Sequence, residues 1–414
     1  MTTLTDLLAQ LEAAVRAGDR ARAHELLRQA QQLLAQASHD LAAAERRVQA
    51  LQKALEQPTA AAGTPEVKLR DVLGTEREIS INSAKADRGT VFPVWFGTNR
   101  KPDGLGGFGT ARHDRTTRGR AEVFVPEGHR FGEIGTSFWK KLLRFDLRDD
   151  TLRMQQVSTL SHDAWLVELQ QTMRDAEAAG EPSHALVFLH GFNVTFEEAA
   201  IRAAQIGMDL AVPGATAFFS WPSRGNVVDY PVDEASIEAS EQAITDFLVD
   251  FATRCGAQKV HLIAHSMGNR GVLRALQRIA SNAETRGQVK FGQIFLAAPD
   301  VDSDLFLNLA ALYAEHSERT TLYASNGDLP VHLSSKLHGA ARAGYFKPYT
   351  AALGIDTVAV PDFDLDLLGH SYFSQAEALL YHMRDLMLNG RATVTLNRLK
   401  AFTEDGVSCW ALKR

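Results

Sequence analysis

Apolar positions in residues 1–57 follow a helical pattern throughout. Leu4, Leu8, Leu11 and Val15 share one stripe of a first predicted helix, and Gly18-Asp19 reads as a helix stop followed by a new N-cap. The second helix carries Leu27, Ala30, Leu34, Ala37, Leu41, Ala44, Val48, Leu51 and Leu55, three and four residues apart in turn. That is a sustained heptad seam, with alanines small enough to let a partner helix approach closely. The first helix is too short to cover the second, so half of the seam needs another partner. A second copy of the chain, giving a homo-oligomer, would cover it; so would packing back onto the rest of the chain, and heptads alone do not choose between them. Residues 58–65, Pro-Thr-Ala-Ala-Ala-Gly-Thr-Pro, are a linker by composition.

From residue 66 the period changes. Val91–Phe96, Ala121–Val125 and Leu152–Ser158 predict strands, antiparallel at one edge of a sheet. Between the first two, Lys101–Gly119 is rich in glycine and charge and predicts a surface loop. His162–Ala179 predicts a helix. Short apolar runs and helical stretches then alternate: strand Ala185–His190, helix Phe196–Asp209, strand Ala215–Trp221, a long helix Glu234–Arg254 and strand Lys259–Ala264. A helix over Asn269–Ile279, strand Gln293–Ala298, helix Ser303–His316, strands Thr320–Ser325 and Thr357–Pro361, and helix Phe373–Leu388 complete the series. Such alternation predicts an α/β fold whose mostly parallel sheet is covered on both faces. In such sheets the working groups gather at the carboxyl ends of the strands. Ala392–Phe402 and Val407–Leu412, around Asp405-Gly406, predict a β-hairpin. The expected organisation is a helical arm (1–57), a linker (58–65), an α/β domain (66–390) and a hairpin-like extension (391–414).

Composition narrows the classes. With 414 residues, 45% of them hydrophobic, the chain can bury a large core. A net charge of −6 gives no support to a nucleic-acid partner, and Arg112, Arg115, Arg118 and Arg120 read as a solvated loop. Cys255 and Cys409 are too few for a disulfide framework and match a reducing compartment. No Cys/His spacing suits zinc, so no metal is expected. The first residues do not read as a signal peptide, and no apolar run is long enough to span a bilayer, so a cytoplasmic protein is expected.

Two apolar runs end in residues with chemical character. Val260–Ala264 stops at His265-Ser266-Met267-Gly268, and helix formers follow. A strand, sharp turn and helix in this order push a serine out of the sheet as a nucleophile. The turn needs small residues two before and two after the serine; Ala264 and Gly268 meet that need, although glycine is usual at the first position. The run Ala185–Leu189 ends in His190-Gly191-Phe192-Asn193. The loop after such a strand supplies one backbone N–H of an oxyanion hole and the residue after the nucleophile supplies the other, here Phe192 and Met267. A serine nucleophile also needs an imidazole base and a carboxylate that holds the imidazole, in the chain order Ser, acid, His. His370, in Leu367-Leu-Gly-His-Ser-Tyr-Phe373, follows the last parallel strand; His332, His338 and His382 fall within helical stretches. Asp328, after strand Thr320–Ser325, is the leading acid, and Asp300, after strand Gln293–Ala298, is the alternative. The aspartate not used would serve as an N-cap or turn residue.

With these residues in place, the chain resembles a little-characterised, esterase/lipase-like branch of the α/β-hydrolase superfamily. The matching blocks are Phe96-Gly-Thr-Asn-Arg100, Leu189-His-Gly-Phe-Asn193, Phe219-Ser-Trp-Pro-Ser-Arg224, Ala264-His-Ser-Met-Gly-Asn269, Ala298-Pro-Asp300, Tyr323-Ala-Ser-Asn-Gly-Asp328 and Gly369-His-Ser-Tyr-Phe373. They span about residues 90–390 and leave the helical arm outside. The resemblance implies Ser266 as nucleophile, Asp328 as acid and His370 as base. It also implies a pocket shaped by Trp221, Ser223 and Arg224, with His190 and Asn193 of the second block beside them. The expected reaction is cofactor-free cleavage of a small-molecule carboxylic ester through an acyl-serine. Two rivals stand beside it: the same triad acting on a thioester, amide or lipid ester, and a catalytically silent scaffold working through its arm.

Overall fold

The computed structural model describes residues 89–127, 152–224, 229–325, 340–345, 349–360, 373–390, 399–404 and 406–412. All of these fall within one compact unit, Ser83–Arg414. The expected helical arm and linker lie outside the described residues.

The elements run β1 (Gly89–Pro102), β2 (Phe108–Pro126), β3 (Arg153–Leu160), α1 (His162–Ala178), β4 (His184–Leu189), α2 (Phe196–Asp209) and β5 (Gly214–Ser220). Next come α3 (Tyr230–Ala239), α4 (Glu241–Arg254), β6 (Lys259–His265), α5 (Gly268–Ser281), β7 (Phe291–Ala297), α6 (Ser303–Leu309) and α7 (Ala311–His316). The series ends with β8 (Ser317–Ala324), β9 (Ile355–Ala359), α8 (Phe373–Asn389), β10 (Leu399–Glu404) and β11 (Val407–Leu412). Among the described residues, eleven strands form one sheet in the order β10-β11-β9-β8-β7-β6-β4-β5-β1-β2-β3. Every pairing from β11 through β1 is parallel. Only β2, β3 and β10 run antiparallel to their neighbours.

All six residues of β4 and all seven of β7 are buried, as expected of strands covered on both faces. The two-residue period of a strand sorts them between two cores. Val187, Leu189, Leu262 and Leu296 pack with Trp165 of α1, Phe247 of α4 and Leu276 of α5. Leu186, Phe188, Ile263 and Phe295 face the other way, onto Ala199 and Ala203 of α2 and Leu380 and Met383 of α8. Among the described residues, no helix is long and apolar enough to cross a membrane.

Three expectations need correction. Lys101–Gly119 is mostly strand rather than loop: Arg100 pairs with Arg112 and Pro102 with Phe108, leaving a turn of five residues. Asp103 closes that turn, its Oδ1 accepting from the N–H groups of Leu105 at 2.8 Å and Gly107 at 3.0 Å. Residues 109–118 are exposed or half-buried, so no apolar alternation marks the strand. The helix expected over Glu234–Arg254 starts earlier and is two helices. Pro231 stands in the first turn of α3, where its missing N–H costs nothing. At the break, the Ser240 hydroxyl donates to Ser236 O at 2.7 Å and accepts from Asn99 Nδ2 at 2.9 Å. The helix expected over Ser303–His316 likewise divides at Ala310, whose N–H bonds three residues back to Leu307 O.

Candidate active site

Between β6 and α5 the chain reverses over Ser266 and Met267 alone. Ser266 takes φ +47°, a left-handed conformation that costs a residue with a Cβ about 1 kcal/mol or more. Its neighbours hold it there. Ser266 N–H donates to Ala297 O at the end of β7 (2.9 Å), and its carbonyl accepts from the N–H groups of Asn269 and Asp300, both at 3.1 Å. Asn269 Nδ2 staples the turn, reaching Ser266 O at 3.0 Å and Ala264 O at 3.1 Å. A Cβ on Gly268 would stand 2.6 Å from His190 O and 2.7 Å from Leu189 O, so this position accepts only glycine without a backbone shift. A Cβ on Gly191 would lie 3.0 Å from Ser266 Cβ. The loop after β4 and the turn after β6 therefore touch.

Neither Phe192 N–H nor Met267 N–H meets an acceptor among the described residues. Several groups on either side of Phe192 are occupied. His190 Nδ1 donates to Gly191 O at 2.8 Å, and the backbone N–H of Asn193, at φ +61°, lies near enough to Asp233 to favour its charged form. Val194 N–H donates to Ser223 Oγ at 3.2 Å, and Val194 O accepts from Arg100 Nη2 at 2.7 Å.

Of the residues expected around the pocket, His190, Trp221 and Ser223 are buried and bonded to this loop or to one another. Trp221 is fully buried, stacked on the His190 ring, and its Nε1 donates to His190 O at 2.9 Å. His190 Nε2 accepts from Ser220 Oγ at 3.2 Å. Burial first, and then the nearby Arg100 charge, hold the pKa of His190 down at about 3, so this imidazole stays neutral. Ser223 is buried, and its hydroxyl donates to Asp233 Oδ2 at 2.5 Å. Arg224 is exposed; its backbone N–H reaches Asp233 Oδ1 at 2.9 Å.

Sequence reasoning did not single out Arg100 or Asp233 for this role. Arg100 is fully buried at the end of β1's apolar stretch. Its Nε donates to Ser220 Oγ at 2.8 Å, and its Nη1 reaches Ser223 O at 2.9 Å and Gly109 O at 3.2 Å. Burial lowers its pKa to about 10, against the pull of Asp233 and Glu198. Burial likewise raises the pKa of Asp233, opposed by the Ser223 hydroxyl and Arg224 N–H that its carboxylate accepts, by the nearby Asn193 N–H and by Arg100. An arginine directly after a buried strand run was the available signal.

Asp300 is buried beside the turn, with its N–H on Ser266 O. Its carboxylate accepts from the Tyr230 hydroxyl and lies 3.5 Å from both Arg270 Nη2 and Arg342 Nε. Tyr230 in turn packs edge-on against Phe192, with ring centroids 5.2 Å apart. Asp328 and His370 lie outside the described residues. The strands they follow, β8 and β9, run parallel to β6, so Ala324 and Ala359 end at the same edge of the sheet as His265. Among the described residues, no cluster of His, Cys, Asp or Glu could hold a metal ion.

A family model described as "Alpha/beta hydrolase of unknown function (DUF900)" matches residues 167–389. The uncharacterized protein alr1448 of Nostoc sp. (strain PCC 7120 / SAG 25.82 / UTEX 2576) is 26% identical over 29% of this chain and 42% of its own length. The chain thus spans less than half the length of the curated relative it matches. An uncharacterized protein from Bacillus cereus ATCC 10987 of known structure is 13% identical with a TM-score of 0.33, covering 51% of this chain and 61% of that one. The "predicted CIB-like hydrolase" from Thermoplasma acidophilum is 12% identical with a TM-score of 0.33, covering 73% of this chain and 99% of that one.

Proposed function

The chain belongs to the family of alpha/beta hydrolases of unknown function (DUF900), and from that premise we propose that it is a serine hydrolase cleaving a carboxylic ester through an acyl-enzyme. The observation that carries this reading is the left-handed Ser266, held at a carboxyl-edge turn against Gly191. Backbone strain kept by so many bonds around one hydroxyl-bearing residue fits a nucleophile elbow.

In the proposed reaction Ser266 Oγ attacks the ester carbonyl carbon while His370 takes its proton. The N–H groups of Phe192 and Met267 hold the oxyanion. His370 returns the proton to the leaving alkoxide, and the alcohol departs. Water, deprotonated by His370, then attacks the acyl-serine and releases the acid. Asp328 fixes the imidazole. Asp300 is the weaker candidate, because Tyr230, Arg270 and Arg342 already engage its carboxylate. Three strand spacings, about 14 Å, separate β6 from β9. The chain from Ala359 to His370, at about 3.3 Å per residue, covers that span more than twice over.

A fluorophosphonate probe and Ser266→Ala test the assignment. The natural protein is expected to be labelled and to hydrolyse p-nitrophenyl esters; the variant is expected to stay folded, resist labelling and lose turnover by about 10³-fold or more. Equal labelling of both proteins would reject Ser266 as nucleophile. Matched ester, thioester and amide substrates then fix the bond that is cleaved.

A further inference from the structure

We infer that Arg100 and Asp233 are positioning residues for the oxyanion hole, locking residues 191–194 so that the Phe192 N–H keeps one direction. The inference rests on the serine-hydrolase reading of Ser266.

The argument starts from where the hydrogen bonds of this loop go. A short loop that must present one free N–H has to spend its neighbouring peptide groups elsewhere, or the donor will turn away. Here Gly191 O is taken by His190, Val194 N–H by Ser223 Oγ and Val194 O by Arg100. The left-handed Asn193 makes the turn, and Phe192 N–H is left without an acceptor among the described residues. The two charged groups reach the loop from different elements. Asp233 comes from α3, and its carboxylate takes the Ser223 hydroxyl, which in turn accepts from Val194 N–H, and the Arg224 N–H. Arg100 comes from β1 and ties Val194 O to Ser220, Ser223 and Gly109. A fully buried guanidinium and carboxylate are costly unless every hydrogen bond is made, and an apolar pair could fill the same space at less expense. What an apolar pair could not do is fix peptide groups of three separate segments in one orientation. Neither side chain would touch substrate; both act through the backbone of Phe192.

Arg100→Lys keeps the charge but loses the planar fork, and Ser223→Ala removes only the hydroxyl linking Val194 N–H to Asp233. Arg118→Lys is the control: Arg118 belongs to the same hairpin but pairs with Asp250, 2.8 Å away. Three quantities are measured on the full chain: active-site titre with a fluorophosphonate, kcat/KM per titrated site, and Ki for a trifluoromethyl ketone that forms a tetrahedral adduct. For Arg100→Lys and Ser223→Ala, kcat/KM per site is expected to fall about 10- to 100-fold and Ki to rise by the same factor. Arg118→Lys should leave both within twofold. A merely structural role would lower the titre and leave Ki unchanged, and that result overturns the inference. Should Arg100→Lys not fold, Ser223→Ala alone decides. A natural protein inert to probe and ester would overturn the serine-hydrolase reading and this inference with it. An active natural protein with unmoved variant Ki values would overturn this inference alone.

Discussion

At the scale of single residues, the site is a matter of backbone geometry. Ser266 sits at φ +47° inside a set of backbone and Asn269 hydrogen bonds, and Gly268 lets α5 start directly under the carbonyls of Leu189 and His190. Gly268→Ala is therefore expected to force these segments apart, at about 1–3 kcal/mol of stability by analogy with overpacked cores. Esterase activity should fall with it. A urea midpoint and activity equal to the natural protein's would show that the contact is not tight. These residues were legible in the sequence because a strand–turn–helix motif compresses backbone strain into a few neighbouring letters. Arg100 and Asp233 were not. The Arg100 bond to Val194 spans 94 positions, and no local pattern encodes a partner that far away.

At the scale of elements, the central strands and most helices were legible for a simple reason: strands buried on both faces read as unbroken apolar runs. The misread stretches are those where solvent or a distant side chain decides. From residue 109 to 118 the β1–β2 hairpin buries no residue fully, so its polar residues looked like loop. The break between α3 and α4 depends on a bond from β1, Asn99 Nδ2 to Ser240 Oγ at 2.9 Å, which helical periodicity cannot register. Asn99→Ala would remove a buried donor and part of Ser240's hydrogen bonding. The expected loss is about 1–3 kcal/mol, read as a lower melting temperature. An unchanged melting temperature would mean the break is held by other contacts.

Across the whole molecule, several buried histidines share one behaviour. Burial lowers His190 and His261 to about 3 and His382 to about 4, and nearby positive charge adds to the effect in each. In the unfolded chain each would titrate near 6.5. Below that pH the unfolded state binds protons that the native state refuses, so stability is complete above about 6.5 and declines as pH falls towards 3–4. Each histidine contributes up to about 1.4 kcal/mol per pH unit within that window. Urea midpoints at pH 7.0, 5.5 and 4.5 are expected to decrease in that order; a flat series would show that the imidazoles are hydrated.

The seam between β1 and β5 joins positions far apart along the chain, with Thr98 Oγ1 on Ser220 O across 122 positions. Closing so long a loop is entropically expensive, and contacts of this kind form slowly. The half-sheet bearing Arg100 and the half-sheet bearing the nucleophile are therefore expected to join late in folding. Before they join, β5 would leave a bare strand edge to any neighbouring polypeptide, so aggregation is expected to be greatest before the catalytic loop is finished.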